Sequence, residues 1–177
     1  MNYCSNCASP LISCIPPGDD RLRFVCEACH TIHYENPKMV VGCIPEYEGR
    51  ILFCRRAIEP SYGKWTIPAG FLENGETVAQ GAQRETFEEA CAKVKDLTPY
   101  ALYNLSLINQ VYLLFRAHLV DLDFSPGEET LEVRLLKKDE IPWEDLAFNV
   151  IRETLRKYLK DSETGVFPFY IDDISPR

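Results

Sequence analysis

A chain of 177 residues has room for one ordinary domain and a small appendage, and 46% hydrophobic with 26% charged residues is the composition of a globular protein. Its formal charge of −8 argues against the basic patch or stripe of a nucleic-acid footprint, so the expected partner is a small molecule and not nucleic acid. The N-terminus, MNYCSNCASP, lacks the basic-then-apolar layout of a signal peptide, and no apolar run reaches the length of a membrane span. The expected location is cytoplasmic, with no membrane partner.

The first element is a metal module. Cys4 and Cys7 form one C-x2-C and Cys26 and Cys29 a second, with 18 residues between the pairs. That is zinc-ribbon spacing. Two such knuckles offer four thiolates at tetrahedral corners, as structural Zn²⁺ prefers. A redox C-x-x-C is the alternative, but one expects it singly beside a βαβ unit. His30 and His33 stand nearby as spare ligands, yet four thiolates already complete the shell. Cys14, Cys43, Cys54 and Cys91 read as small hydrophobes. Residues 1–35 are too few to bury a sufficient core, so the metal is expected to drive their folding. Tyr34 to Pro37 forms the junction to a main domain at 36–160.

In that domain MVVGCIPEY reads as a buried strand, EGR as a tight turn and ILFCRRA as the hairpin partner. Arg55 and Arg56 close this strand, where they either face phosphates or simply solvate its end. EPSYGKWTIPAG is a loop rich in turn residues, carrying Tyr62 and Trp65.

The stretch GFLENGETVAQGAQRETFEEACA, Gly70 to Ala92, reads as a loop and a helix. Thr77 and Gln80 make a capping box. Ala79, Ala82, Thr86, Phe87 and Ala90 form a face suited to docking on a sheet. Glu85, Glu88 and Glu89, spaced i, i+3 and i+4, fall in one stripe. Three packed carboxylates repel one another, and a hard divalent cation with oxygen ligands resolves the conflict. Arg84 sits one turn before Glu88 and can orient a carboxylate through its planar fork. The bland alternative is a solvated acidic face.

Beyond the helix, Lys93 to Leu97 reads as an edge strand, and Tyr100 to Asn104 pairs with Asn109 to Asp121. SPGEET is an acidic turn and LEVRLL another strand. A helix is expected from about Ala147 to Leu159, with Phe148, Ile151, Leu155 and Leu159 as its core positions. Residues 161–177 form a tail whose FPFYI segment is expected to cross onto a second subunit, making a homodimer. Strands then helix, twice over, describe an α+β fold, an α/β/α sandwich with a mixed sheet.

The helix resembles the box of the Nudix hydrolases, G-x5-E-x7-R-E-U-x-E-E-x-G-U. Gly70, Glu76, Arg84, Glu85, Glu88 and Glu89 fill six of its positions. Chance puts six fixed residues in register at roughly 1 in 10⁵ for such a chain. Thr86, Cys91 and Ala92 depart from the pattern without touching its charged groups, and WTIPAG resembles the family's W-x-x-P-G-G lead-in. The resemblance covers nearly the whole chain and points to the zinc-ribbon subgroup that includes ADP-ribose and FAD pyrophosphatases. It implies the α/β/α Nudix sandwich and Mg²⁺ or Mn²⁺ held by Glu85, Glu88, Glu89 and the Gly70 carbonyl. It also implies that Arg84 orients a carboxylate and Glu76 pairs with Arg84. A further carboxylate from a later loop acts as ligand or general base, with Glu129 the candidate and Glu128 and Glu132 behind it. Arg55, Arg56, Tyr62 and Phe71 are the candidate substrate contacts.

The implied reaction is cleavage of a nucleoside diphosphate derivative at its pyrophosphate. ADP-ribose, giving AMP and ribose 5-phosphate, is the first expectation, and FAD or NADH the alternatives. NADH pyrophosphatases carry an S-Q-P-W-P-F-P-x-S stretch after the box, and YALYNLSLINQVY at Tyr100 to Tyr112 has nothing like it. The competing class is a nucleotide-sugar sensor without catalysis.

Overall fold

The structure is a computed structural model that describes residues 1–174. It divides into two units, Met1–Asn36 and Pro37 to the C-terminus. In the first, β1 (Leu11–Cys14), β2 (Arg23–Cys26) and β3 (Ile32–His33) form an antiparallel sheet in that order. Each C-x2-C is closed by the same turn. Ala8 N–H donates to Cys4 O and His30 N–H to Cys26 O, both at 2.8 Å, and Ala8 and His30 both take left-handed φ, at 61° and 59°. His30 is therefore a turn residue.

The second unit is built on one large sheet. Its strands are β4 (Lys38–Tyr47), β5 (Arg50–Arg56), β6 (Trp65–Thr66), β7 (Ala69–Phe71), β8 (Val94–Leu105), β9 (Gln110–Leu119), β10 (Thr130–Leu136) and β11 (Tyr170–Asp173). The order is β10-β5-β4-β9-β8-β11, with β6 on β5 and β7 on β4. β4 with β9 and β8 with β11 are parallel and the other pairs antiparallel, so the sheet is mixed. α1 (Val78–Ala90) and α2 (Asn149–Thr164) cover opposite faces.

The central strands are apolar on both sides because both are covered. Val41, Cys43, Leu52, Cys54, Leu113 and Phe115 pack beneath α1 with Ala82 and Ala90. Ile44, Ile51, Phe53 and Leu114 pack on the other face with Val150, Ile151 and Leu155 of α2.

One expectation changes. The separate strands at Lys93–Leu97 and Tyr100–Asn104 are one strand, β8, whose register shifts between Lys95 and Thr98 and again between Pro99 and Ala101. Pro99 lacks an N–H for the ladder, and a bulge is where a sheet accommodates it. The tail adds to this chain's own sheet. α2 runs to Thr164, Gly165 closes it in the left-handed conformation, and the chain folds back on itself. Phe167 lies edge-on to Tyr100 at 6.3 Å between ring centroids, and Tyr170 opens β11, which lengthens this chain's own sheet.

The anchor of that return is Asp161, only 7% exposed. It accepts hydrogen bonds from Tyr100 OH at 2.7 Å and Tyr170 OH at 2.9 Å. Burial and the Asp161 carboxylate together push the Tyr100 phenol well above its ordinary pKa. Asp161→Ala leaves two phenols facing an emptied acceptor site. We expect it to cost about 2–3 kcal/mol, the scale of buried hydrogen bonds to a charged group. Urea unfolding checks this, and a change under about 0.5 kcal/mol, the noise level of surface substitutions, would contradict it.

Candidate functional site

α1 begins at a complete capping box: Gln80 N–H donates to Thr77 Oγ1 at 3.2 Å and Thr77 N–H to Gln80 Oε1 at 2.8 Å. The helix buries Gly81, Ala82, Glu85, Thr86, Glu89 and Ala90. This stripe is centred between Glu85 and Thr86, so Phe87, expected against the sheet, lies at its edge and is 51% exposed. The carboxylates are buried because β7 runs beside them. Gly70 pairs with Val41, and a Cβ on Gly70 would stand 2.2 Å from a Glu85 carboxylate oxygen. A side chain there would displace the Glu85 carboxylate from its present place.

Arg84 organises the acids. Its Nε and Nη2 take Glu76 in a bidentate pair at 3.0 and 2.8 Å, and Nη2 also donates to Phe71 O at 2.9 Å. Nη1 is shared between Glu85 at 2.7 Å and Glu88 at 2.9 Å. Glu76, bound by Arg84 and by Glu73 N–H, has its carboxyl held down at about 2. Glu89 is out of this reach. It accepts a long hydrogen bond from Ala69 N–H at 3.4 Å, and burial, with the charges of Glu85 and Glu129 adding, pushes its carboxyl up to about 8. Burial likewise raises Glu85.

Glu129 arrives on a loop that closes the far end of α1. Ser125 N–H donates to Ala90 O at 2.9 Å and Gly127 N–H to Glu89 O at 3.0 Å. Gly127 lies so close that a Cβ there would stand 1.7 Å from Glu88 O. Ala57 N–H then fixes Glu129 O at 2.8 Å. Glu132 is directed elsewhere, to Arg134 and Arg55.

These groups open on a cavity of about 1110 Å³. Its lining combines carboxylates, Glu85, Glu88, Glu89, Glu128 and Glu129, with apolar side chains, Tyr112, Leu105, Ile108, Phe148 and Ile174. The size suits a nucleotide-scale ligand. Gly70, Phe71, Arg84 and Arg56 line it, as does Cys91. Glu76 stands behind Arg84, as its partner. Arg55 and Tyr62 do not line it. Arg55 is exposed, donating to Gly63 O at 3.0 Å and lying 3.7 Å from Glu132, while Tyr62 is 57% exposed on its loop. Trp65 is buried in the core.

The sequence reading missed Phe87, Tyr112, Phe148 and Ile174 as wall residues. Tyr112 carried a usable signal: it shares the face of Leu114 by strand alternation but lies nearer the strand's start, beyond the core. Ile174 carried none, because only the fold-back of the tail brings it there.

The residues fit a hard divalent cation. Buried, like-charged carboxylates beside the side-chain-free peptide of Gly70 form an oxygen donor set that a cation would neutralise. The ribbon fits zinc. The Sγ atoms of Cys4, Cys7, Cys26 and Cys29 all lie within 4.8 Å of one another, with Cys4–Cys29 at 3.6 Å and Cys7–Cys26 at 3.4 Å. Zn–S bonds of about 2.3 Å give a tetrahedral edge of about 3.8 Å. His33 Nε2, 3.3 Å from Cys4 Sγ, is an outer-shell neighbour of the cluster.

A two-helix sandwich on a mixed sheet, with a carboxylate helix under a glycine strand, is the architecture of a Nudix domain. The chain belongs to the Nudix family: the model of the NUDIX domain matches residues 36–158, and that of the Nudix N-terminal zinc ribbon matches residues 2–35. A NUDIX hydrolase from Nitrosomonas europaea, known as a crystal structure, is 54% identical with a TM-score of 0.96 over 99% of this chain and 100% of that one. The NAD-capped RNA hydrolase NudC of Chromobacterium violaceum is 31% identical over 132 residues, 73% of this chain and 47% of NudC. NudC of Photobacterium profundum is 25% identical over 80% of this chain and 52% of that protein. The chain thus spans about half the length of these two relatives. An ADP-ribose pyrophosphatase from Streptococcus suis shares the fold, at a TM-score of 0.62 and 18% identity over 77% of this chain and 100% of that one. No helix among the described residues is long and apolar enough to cross a membrane.

Two outcomes are expected here. Gly127→Ala must push the loop off the end of α1, at a cost of about 1–3 kcal/mol, the range for overpacking. An unchanged melting temperature would contradict it. Purified protein should carry one zinc per chain, and its removal by a chelator should unfold residues 1–35 before the rest. Metal analysis with amide exchange reads both, and a zinc-free ribbon with full protection would contradict the assignment.

Proposed function

We propose that the chain is a divalent-metal-dependent hydrolase of nucleoside diphosphate derivatives, with ADP-ribose as its first substrate, cleaved to AMP and ribose 5-phosphate. The observation that carries this is the burial of Glu85 and Glu89 to 9% and 8% exposure, with Glu129 adding its charge. A sensor gains nothing from such strain. Glu85, Glu88, Glu89 and the Gly70 carbonyl would hold Mg²⁺ or Mn²⁺, which when bound neutralises phosphate charge and activates water.

The chain's own groups do the rest. Arg84 fixes Glu85 and Glu88 in orientation. Glu129, exposed at the cavity rim, is placed to accept a proton from the attacking water. Arg56 meets the phosphate oxygens, and the aromatic side chains of Phe71 and Tyr112 take the base.

A second reading, hydrolysis of NADH or of an NAD cap, draws on the similarity to NudC. Against it stands the stretch Tyr100 to Tyr112. Here it is the β8–β9 hairpin, with a turn at Ser106–Ile108 that sets Leu105 and Ile108 in the wall. The formal charge of −8 also suits a small nucleotide better than RNA.

With Mg²⁺ present, kcat/KM should fall in the order ADP-ribose, FAD, NADH, with NAD-capped RNA below all three. A preference for NADH or the capped RNA would select the second reading. Glu88→Gln and Glu89→Gln should each fold and lose about 100- to 1000-fold in turnover, the scale of losing one group that stabilises developing charge. Near-normal turnover in both would remove the helix carboxylates from the chemistry.

A further inference from the structure

We propose that Phe148 is a positioning residue that aims the Arg56 guanidinium at the substrate's phosphate oxygens, an inference that rests on the hydrolase reading above. Phe148 is not a core residue of α2. It is the residue ahead of the helix, in extended conformation with φ −134° and ψ 141°, and its side chain lines the cavity.

Two arginines line that cavity, and they are in opposite states. Arg84 has every edge of its fork engaged, by Glu76, Glu85, Glu88 and Phe71 O. Arg56 has only its Nε engaged, donating to Pro60 O at 2.9 Å. Among the described residues its Nη groups make no hydrogen bond, and no carboxylate lies within ion-pair distance. A guanidinium left unpaired in an acidic cavity is available to an incoming anion.

It is also held still. The guanidinium carbon lies over the Phe148 ring, 5.0 Å from its centroid, and the Nε edge is held by the Pro60 carbonyl. Both supports are tied to the scaffold. Ala147 N–H donates to Trp65 O at 2.8 Å and Ser61 Oγ to Ala147 O at 3.4 Å. Arg56 itself is closed across the loop by Arg56 N–H to Lys64 O and Gly63 N–H to Arg56 O, each 2.9 Å. With Nε occupied and the ring of Phe148 beside the group, the Nη edge is what remains for a phosphate, which matches the fork bidentately.

A double-mutant cycle tests this with two readouts: kcat/KM on ADP-ribose with Mg²⁺, and Kd for ADP by calorimetry. Phe148→Leu should weaken both by roughly 5- to 30-fold, the span of a partly desolvated cation–π contact. Phe148→Tyr, which keeps the ring, should restore most of that loss. In an Arg56→Gln background, Phe148→Leu should cost under about 2-fold, because the group it positions is gone. Arg56→Lys keeps the charge without the fork and should resemble Phe148→Leu. Melting curves confirm that each variant is folded. Equal losses from Phe148→Leu in both backgrounds would mean a plain wall residue and overturn the proposal, as would an Arg56→Lys protein that matches the parent. If ADP-ribose is not cleaved but ADP binding shows the coupling, the positioning stands and the hydrolase reading falls. If ADP-ribose is cleaved without coupling, the hydrolase reading stands and the positioning falls.

Discussion

Three carboxylates on one helical stripe repel one another, and the guanidinium of Arg84 holds two of them, Glu85 and Glu88, in order. It spans Glu76, Glu85, Glu88 and the Phe71 carbonyl, so one side chain ties α1 to the loop before it and to β7. That tie keeps Gly70 against Glu85. A lysine in this place would offer a point charge without the fork, and the two-sided grip would be lost. Glu89 shows what happens beyond the grip. Its carboxyl is pushed up to about 8, so between the ordinary carboxylate range and that value the folded chain keeps a proton the unfolded chain releases. Stability therefore falls as pH rises through that window, until a cation takes the proton's place.

The two faces of the sheet divide the work. The α1 face carries the small side chains, Ala82, Ala90, Cys43 and Cys54, that let a helix with acids on it lie close. The α2 face carries bulkier core as far as Leu114 and then opens, so that Tyr112 and its neighbours become wall instead of core. The C-terminal return completes that wall, since Ile174, hydrogen-bonded through its N–H to Asn104 O at 2.9 Å, is 8% exposed against it. The Asp161 anchor and the cavity are thus two ends of one segment.

What the sequence made legible was local. The capping box, the carboxylate stripe and the two thiol knuckles each lie within a few residues, and local spacing places them on one helix or one turn. Residues brought in over long separations were not legible. Phe148 fits the helical period of Ile151 and Leu155, and nothing short of the neighbouring loop shows that the helix starts one residue later with the ring turned to Arg56. Arg55 and Arg56 are adjacent and alike in type, yet strand alternation sends one to solvent and one to the cavity. The FPFYI segment looked too apolar to leave uncovered; Phe167 and Tyr170 pack on this chain's own Tyr100 and Tyr158, while Phe169 and Ile171 stay 48% and 65% exposed.

Cys91 is where the chain departs from its family's glycine, and the structure shows how the departure is absorbed. Cys91 still adopts the left-handed conformation, φ 49°, at the end of α1, and its N–H returns to Phe87 O at 2.7 Å. A non-glycine residue is strained there, by an amount on the order of 1 kcal/mol. The last carbonyls are satisfied from elsewhere: Ser125 and Gly127 donate to Ala90 O and Glu89 O. A glycine stands instead in the loop that closes the helix end, at a position where a Cβ would strike Glu88 O. The same loop carries Glu129 two residues on. Capping the helix and bringing Glu129 to the cavity are one structural event, so the position of Glu129 depends on Gly127 fitting under the end of α1.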